Sequence, residues 1–361
     1  MAGSTFGNIF RVTTWGESHG AGLGAVVDGC PAGLEIDEEY IQGFLDRRKP
    51  GQSKYATKRA EADQVRIMSG IFEGKTTGTP ISLVIENTSQ ISKDYSDIAD
   101  VYRPGHADFG FNSKFGFRDY RGGGRSSGRE TAGRVAAGAI AIKVLKELGI
   151  QIYAYVSRIG DISIDRSLFD RDEILKNSLC MPDKKAAEKA GEYLDKLIEE
   201  KDSSGALVEC IVTGMPAGVG EPVFDKLDAR LAAAIMSIGA VKGIEIGDGF
   251  DVVKARGSEN NDEFFMKDGK VCKKTNHAGG ILGGMSDGSD IIIKAAFKPT
   301  PSIYRKQSTV NSRGEDVEIE IKGRHDPIIA PRAVVVVEAM TAMTILDLIL
   351  SKSGRLEDIK L

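Results

Sequence analysis

The chain has 361 residues, of which 41% are hydrophobic and 28% are charged, as in an ordinary globular protein with a sizeable core. Its 48 basic and 52 acidic residues give a net charge of -4, which argues against a protein that mainly coats nucleic acid. The N-terminus lacks the apolar core of a secretory signal, and the four cysteines lack CxxC spacing, so we expect a reduced, soluble, cytoplasmic protein.

Strands and helices alternate in the first half of the chain. The pattern predicts a strand over 22–30, a helix opened by Asp37 and stopped near Pro50–Gly51, a basic turn-rich loop over 47–59 and a strand over 81–87. The segment 89–120 shows no clear periodicity.

The second half continues in the same way. It predicts strands at 151–159, 206–218 and 289–299, a polar solvent-facing helix over 183–202 and a helix over 226–239. The last helix, roughly 332–350, is very apolar, but Glu338 and Asp347 interrupt it, which favours a buried helix over a membrane span. No long linker divides the chain, so we expect one compact α/β domain over 1–361.

Two pairs of segments suggest an internal duplication. AVVDGCPAGLEID (25–37) is similar to CIVTGMPAGVGEP (210–222), and each follows a predicted strand and precedes a helix. SHGAGLGAVVDG (18–29) is similar to NHAGGILGGMSDG (276–288), since both place a histidine before glycines. Two related halves that face each other would form a central site.

The stretch RDYRGGGRSSGRE (118–130) places four arginines around three glycines. Ser127 and Glu130 have the spacing of a capping box, and a small-residue helix then continues to Gly149. A helix N-terminus with nearby arginines favours an anion, so this stretch predicts an anion site. The alternative is a flexible, solvated loop.

Histidines in polar loops supply candidates for acid–base chemistry near neutral pH. His19, His106 and His325 lie in such loops, although a single histidine is more often structural. Arginines in turn-rich stretches can grip carboxylate or phosphate; they are Arg48, Arg103, Arg125, Arg129 and Arg324. No dinucleotide fingerprint, P-loop or metal-ligand spacing is present, so the residues alone predict a metal-free, non-Rossmann site for a small multi-anionic ligand.

Seven motifs in order from residue 13 to 327 resemble the chorismate synthase family: TTWGESHG, RPGHAD, DYRGGGRSSGRET, GEPVFDKLDA, VKGIEIGDGF, NHAGGILGG and GRHDP. The resemblance implies a β-α-β sandwich fold and a homotetramer. It also implies that 5-enolpyruvylshikimate 3-phosphate loses phosphate and its C6 proton to give chorismate, the last step of the shikimate pathway. Reduced FMN is required without net redox change, and some members use NADPH as an indirect reductant.

The resemblance also assigns residues by motif. His19 would protonate the departing phosphate, His106 would protonate or stabilise the reduced flavin, and Asp326 would assist removal of the C6 proton by way of flavin N5. The implied substrate contacts are Arg48, Lys54, Arg103, Ser127, Arg129 and Arg324. The implied FMN contacts are Arg125, Ser126, Ser127, Gly239, Ala240, Gly283, Lys298, Pro299, Thr300, Pro301, Ser302 and Arg324.

Three positions depart from the usual family pattern. Lys54 replaces an arginine, and a point charge should grip phosphate less tightly than a planar fork. Gly239 replaces an asparagine, although both residues tolerate a left-handed turn at a helix end. Pro301 replaces a serine and so removes a hydroxyl and a backbone donor. We expect weaker FMN affinity with an unchanged mechanism.

Two other functions are weighed against this one. A flavin-dependent dehydrogenase would consume hydride at each turnover, and the missing dinucleotide fingerprint argues against it. An RNA-binding protein that uses RGGGR is disfavoured by the acidic net charge and by the helix that follows. We therefore expect no nucleic-acid or membrane partner, and we expect loops 47–59 and 89–125 to become ordered when ligand binds.

Overall fold

The computed structural model describes residues 3–51, 53–56, 62–88, 99–321 and 326–351. The helices are α1 (Glu38–Arg48), α2 (Asp108–Phe115), α3 (Thr131–Glu147), α4 (Lys184–Glu199), α5 (Leu227–Met236), α6 (Gly257–Asn260) and α7 (Ala330–Leu350). The strands of the first half are β1 (Thr5–Phe6), β2 (Arg11–Gly16), β3 (Gly22–Asp28), β4 (Val65–Ile67), β5 (Ile71–Phe72), β6 (Lys75–Thr76) and β7 (Ile81–Glu86). The remaining strands are β8 (Gln151–Ile159), β9 (Ile162–Ser163), β10 (Ala206–Thr213), β11 (Val241–Ile246), β12 (Phe264–Lys267), β13 (Lys270–Lys273), β14 (Ile281–Leu282), β15 (Met285–Ser286), β16 (Ile291–Phe297), β17 (Lys306–Val310) and β18 (Asp316–Glu320).

Two five-stranded sheets enclose a layer of helices. Their strand orders are β1-β2-β3-β7-β4 and β9-β8-β10-β16-β11, and all neighbouring strands are antiparallel. Helix α3 packs on β2, β3 and β7, helix α7 packs on β8 and β10, and the two helices pack on each other. This arrangement confirms the predicted mixed α/β class and β-α-β sandwich, and a parallel Rossmann sheet would have a different order.

The two central helices approach closely because their contact surface is made of small residues. A Cβ built on Gly138 of α3 would lie 2.3 Å from Cβ of Ala339 in α7. A Cβ on Gly133, five residues earlier, would lie 2.7 Å from the carbonyl oxygen of Gly24 in β3. The small face predicted for this helix therefore sets the separation of the layers.

The internal duplication is confirmed for the first pair of segments. Strands β2, β3, β7 and β4 occupy the same order as β8, β10, β16 and β11, with α1 and α5 at equivalent places in the chain. The hydroxyls of Thr76 and Ser286 donate to the carbonyls of Pro31 and Pro216, each at 2.6 Å. The two CPAG and MPAG turns are thus bound by the same contact to equivalent hairpins.

The second pair of segments is not equivalent in the fold. Residues 18–29 contain the His19 turn and strand β3 itself, whereas 276–288 include the β14–β15 hairpin before β16. The structural counterpart of that hairpin is β5–β6, which precedes β7. The prediction drawn from this second pair was wrong, because glycine-rich turns have similar compositions wherever they occur.

Helix α7 is long and apolar enough to cross a membrane by composition, with a mean hydropathy of 2.1. However, 89% of its apolar window is buried inside the protein, where it contacts α3, α5 and β8. Its buried acids are paired: Glu338 accepts from Arg47, and Asp347 accepts the backbone N–H groups of Asn8, Ile9 and Phe10. The prediction of a buried core helix is confirmed.

The predicted capping box at Ser127–Glu130 is wrong. Helix α3 begins at Thr131, after a 3-10 turn in which Ser127 Oγ accepts from the Arg129 N–H at 3.3 Å. The carboxylate of Glu130 does not return to Ser127, because it pairs with Arg134 one helical turn further on, at 2.9 Å.

The predicted end of α5 also needs correction. The helix stops at Met236, and the left-handed residue of the following turn is Ala240, with φ 73°, rather than Gly239. The Ala240 carbonyl accepts a hydrogen bond from the Lys298 N–H at 2.9 Å, which links the turn to the end of β16. Sheet pairing rather than glycine therefore sets this turn.

The segment without periodicity contains helix α2, while residues 89–98 lie outside the described part of the chain. Only Asp108 of this helix is buried, and Phe109 and Phe115 are exposed. A helix without an apolar face gives no 3.6-residue pattern, so the sequence could not indicate it.

Candidate active site

His19 lies on a tight turn immediately before β3. The turn is closed by a hydrogen bond from Gly20 N to the Glu17 carbonyl, and Ser18 Oγ lies 3.0 Å from Nδ1 of His19. The imidazole packs on Gly122, where a Cβ would lie 2.7 Å from Nδ1 and Cε1. The first histidine motif and the glycine-rich loop therefore meet, and only glycine fits at position 122.

Two predicted substrate contacts share a buried carboxylate. Arg48, the last residue of α1, donates to Oδ2 of Asp63 at 2.5 Å, and Arg129 donates to Oδ1 of the same side chain. Arg48 also donates to the Gly128 carbonyl at 3.2 Å, so α1 is bound to the start of α3. We call Arg48, Asp63 and Arg129 the arginine cluster.

The electrostatics of the arginine cluster favour an added anion. Burial would raise the pKa of Asp63, but Arg48 and Arg129 outweigh it and keep this pKa below its usual value. Burial, followed by the charge of Arg332, lowers the pKa of Arg48 to about 10 even though Asp63 acts in the opposite direction. Two guanidinium groups share one carboxylate, and Nε of Arg48 is buried without a hydrogen-bond partner among the described residues.

Asp326 lies beside the arginine cluster through Arg332 of α7. Arg332 donates from one terminal nitrogen to Asp326 at 2.6 Å and from Nε to the carbonyl of Arg48 at 3.0 Å. Both Asp326 and Arg48 are buried. The fold thus brings the predicted catalytic carboxylate to the predicted anion contacts.

Arg103 is held by Asp108 at the start of α2. Its Nε and one terminal nitrogen donate to the two carboxylate oxygens, each at 2.8 Å, and the same terminal nitrogen donates to the Gly122 carbonyl at 3.1 Å. Arg103 therefore fixes the glycine-rich loop on which His19 packs. Its direct contact with substrate stays a prediction.

His106 contacts the predicted cofactor segment 298–302. Its Nδ1 donates to the Pro104 carbonyl at 3.0 Å, and its Nε2 accepts from the Ser302 hydroxyl at 3.1 Å. Burial, followed by the charge of Arg103, lowers the pKa of His106 and so favours the neutral imidazole, and the Pro104 carbonyl selects the tautomer with its proton on Nδ1. Lys298 Nζ donates to the Gly105 carbonyl at 2.7 Å, so the two loops form one unit.

The side chains at 125–127 are bound within the protein. Arg125 donates to the carbonyls of Gly16 and Thr14 at 3.1 and 3.2 Å, and Ser126 Oγ donates to the Gly123 carbonyl at 2.7 Å. These contacts shape the loop that precedes α3. Contacts of these residues with FMN stay predictions.

Lys54 and Gly283 lie away from these groups, whereas Ala240 is bound to the Lys298 N–H of the predicted cofactor segment. Lys54 is exposed and pairs with Asp195 of α4 at 2.8 Å. Gly283 lies in the β14–β15 hairpin, before the first residue of β16. Gly239 and Ala240 lie near Phe297, the last residue of β16. The seven-residue strand between them spans roughly 20 Å. Arg324 and His325 lie outside the described residues.

The sequence did not single out several residues that organise the site. Asp63, Asn87, Asp108 and Arg332 each bind a predicted functional side chain or its loop. Arg332 stands eight residues after Arg324 on a helix predicted only as core. The sequence signal for these residues was an acidic residue near each basic turn. Surface ion pairs give the same pattern, so it could not identify them.

Comparison with known proteins identifies the family of the chain. A family model described as chorismate synthase matches residues 10–350. A chorismate synthase of Agathobacter rectalis is 66% identical over 354 residues, which cover 98% of this chain and 96% of the relative. One from Ruegeria pomeroyi is 54% identical over 358 residues, which cover 99% and 98% of the two chains.

A solved structure described as the crystal structure of chorismate synthase is similar throughout. Its TM-score is 0.76 at 32% identity, and the match covers 97% of this chain and 94% of that chain. Family, relatives and fold therefore agree along almost the entire sequence. The chain belongs to the chorismate synthase family of lyases.

Proposed function

We propose that the groups around the start of α3 carry out the family's 1,4-elimination with reduced FMN and the site residues assigned by motif. The C–O bond to phosphate breaks, the C6 proton leaves, and a second ring double bond forms, so 5-enolpyruvylshikimate 3-phosphate gives chorismate and phosphate. The observation that supports this assignment is the convergence of Arg48, Arg129 and Asp326, joined by Asp63 and Arg332.

The arginines bind the anionic groups of the substrate. Two carboxylates and a phosphate need several cations, and planar guanidinium groups bind such anions in bidentate fashion. Arg129 and Arg48 share Asp63, so the cluster carries an excess positive charge before substrate arrives. Lys54, Arg103, Ser127 and Arg324 complete the proposed substrate set.

His19 supplies the proton for the departing phosphate. It is buried against the glycine-rich loop, and removal from bulk water strengthens its interaction with a leaving anion. Asp326 is the group that assists removal of the C6 proton. The Arg332 guanidinium holds this carboxylate in place at 2.6 Å.

The residues at 298–302 fit the phosphate end of FMN. Thr300 Oγ1 is buried without a hydrogen-bond partner among the described residues, and the amine of Lys298 and the hydroxyl of Ser302 lie on the same segment. Gly105 faces Pro301 so closely that a Cβ there would lie 2.6 Å from it. When bound, reduced FMN supplies an electron-rich ring that assists both departures without net redox change.

Further expectations belong with this proposal. We expect a single domain, because one cluster of buried residues extends from Phe10 to Leu348, and we propose a cytoplasmic location. The chain forms a homotetramer, in which Gly283 would reach an FMN site from another copy. NADPH serves as an indirect reductant of the flavin. Looser phosphate and FMN binding caused by Lys54, Gly239 and Pro301 stays a prediction.

Substitutions at the two ends of the site test the assignment. We expect His19→Asn to lower kcat by roughly 100-fold with little change in substrate affinity, because a general acid contributes to the transition state. We expect Arg129→Gln to weaken substrate binding by roughly 10-fold or more. Anaerobic assays of phosphate release, with titration calorimetry of substrate, measure both effects, and parent-like kinetics in both variants would contradict the assignment.

A further inference from the structure

Asn87 lies immediately after β7, where that strand pairs with the beginning of β3. Its backbone N–H donates to the carbonyl of Ala21 at 3.1 Å. The side chain is therefore held at the point where the His19 turn enters the sheet. Asn87 also contacts the arginine cluster through Arg129.

The side-chain amide makes three hydrogen bonds that join two parts of the site. Nδ2 donates to the carbonyls of Glu17 and Gly20 at 2.9 and 2.8 Å, on either side of His19. Oδ1 accepts from Nε of Arg129 at 2.6 Å. One planar group thus spans the turn that carries the proposed acid and the guanidinium that binds the anion.

Only one orientation of the amide satisfies these partners. A flipped amide would place its oxygen against two carbonyl oxygens and its NH2 against a guanidinium that has no acceptor. Aspartate at this position would keep the bond to Arg129 and lose both donors to the turn. Leucine would lose all three bonds at a similar size. The two substitutions therefore separate the contact with the His19 turn from the contact with Arg129.

We propose that Asn87 is a positioning residue that fixes the distance between the His19 turn and the Arg129 guanidinium. This inference rests on the roles proposed above for His19 and Arg129. Asp63 holds Arg129 on its other side through a terminal nitrogen, so the guanidinium is fixed at two edges. Of Asn87 and Asp63, Asn87 is the residue that also binds the turn carrying His19.

The test compares the parent with Asn87→Asp and Asn87→Leu. Glu86→Gln is the matched control, because Glu86 is the adjacent residue and its exposed side chain pairs with Arg66 at 3.5 Å. Anaerobic turnover with reduced FMN gives kcat. Titration calorimetry with substrate and oxidised FMN gives the substrate dissociation constant without turnover, and thermal melting reports folding.

We expect Asn87→Asp to lower kcat at saturating substrate roughly 10- to 100-fold, because the His19 turn moves, and also to weaken substrate binding, because its carboxylate cancels the excess positive charge of the arginine cluster. Asn87→Leu should lower kcat and also weaken binding by roughly 10-fold, because Arg129 loses an acceptor. Glu86→Gln should behave as the parent. If Asn87→Leu does not fold, the kcat of Asn87→Asp at saturating substrate decides alone, because that value does not depend on the weaker binding.

The positioning role is wrong if Asn87→Asp keeps the parent's kcat, or if its binding weakens while kcat is unchanged. A parent protein that makes no chorismate at all would instead overturn the proposed function. The two failures are therefore distinguishable in the same experiment.

Discussion

At the scale of single residues, the site depends on carboxylates that orient cations. Asp63 binds two guanidinium groups and has a left-handed backbone with φ 48°, a conformation that asparagine and aspartate tolerate better than most residues. Such a position is costly unless its surroundings demand it. The two ion pairs of Asp63, with Arg48 and with Arg129, offset the cost of this backbone conformation.

Asp63→Asn preserves shape and backbone preference but removes the charge. We expect a loss of about 3 kcal/mol in the free energy of unfolding, because a buried arginine is left without its counter-ion. Chemical denaturation measures this loss. Asp28→Asn is the control, since the Arg11–Asp28 pair is exposed at 54% and 41% and should contribute about 0–1 kcal/mol. Equal effects of the two substitutions would contradict the account.

His106 predicts a pH dependence of stability. Its pKa is lowered in the folded protein, chiefly by burial, so on acidification the unfolded chain takes up a proton at a higher pH than the folded chain does. The free energy of unfolding should therefore fall from pH 7 to pH 5. In His106→Asn this part of the dependence disappears, and the curve should be less steep over the same range. Denaturant titrations at constant ionic strength measure both curves, and identical slopes would show that the imidazole is not held neutral.

At the scale of elements, the contact between α3 and α7 sets the spacing of the sandwich. A Cβ built on Gly138 would lie 2.6 Å from Cα of Ala339 in α7. Alanine has a higher helix propensity than glycine. In Gly138→Ala the gain in helix propensity is therefore set against a loss in packing between the helices. Gly43 of α1 offers the same exchange in open space, since nothing lies within 4 Å of its Cβ position.

We expect Gly138→Ala to lower the free energy of unfolding by about 1–3 kcal/mol, because the backbone of Ala339 must move. Gly43→Ala should raise it by roughly 0.5–1 kcal/mol through helix propensity alone. Both values come from denaturant unfolding. Stabilisation by both substitutions would mean that the helix contact is looser than the structure shows.

The elements that were predicted correctly from the sequence are those with an apolar face that packs against the core. Strand β3, helix α1 with its Asp37 cap, β8 and α7 all show apolar spacing or a cap. Strand β11 and helix α2 were missed because few of their residues are buried. For the site, the resemblance supplied His19 and Asp326, but neither Asp63 nor Asn87, whose importance depends on contacts far apart in sequence.

At the scale of the whole molecule, an exposed apolar hairpin supports the proposed homotetramer. Strands β12 and β13 pair only with each other among the described strands, and Phe264, Met266 and Val271 are 58%, 66% and 64% exposed. A two-stranded hairpin is marginal in water alone. Exposed apolar groups of this kind are typical of an interface with another chain, so we propose this hairpin as a contact between copies.

Replacement of Phe264 and Met266 together by aspartate should therefore shift the protein from tetramer towards smaller species. Lys270→Ser on the same hairpin is the control and should leave the assembly unchanged. Light scattering coupled to size exclusion measures both. A parent protein that is already monomeric, or a double variant that remains tetrameric, would rule out this interface.

The most direct test of the central claim is an anaerobic assay with 5-enolpyruvylshikimate 3-phosphate and chemically reduced FMN. Phosphate and chorismate are measured together against the amount of flavin. We predict equal yields of the two products and many turnovers for each flavin, because the electrons return after every elimination. Stoichiometric oxidation of flavin, or no product from protein with flavin bound, would contradict the account.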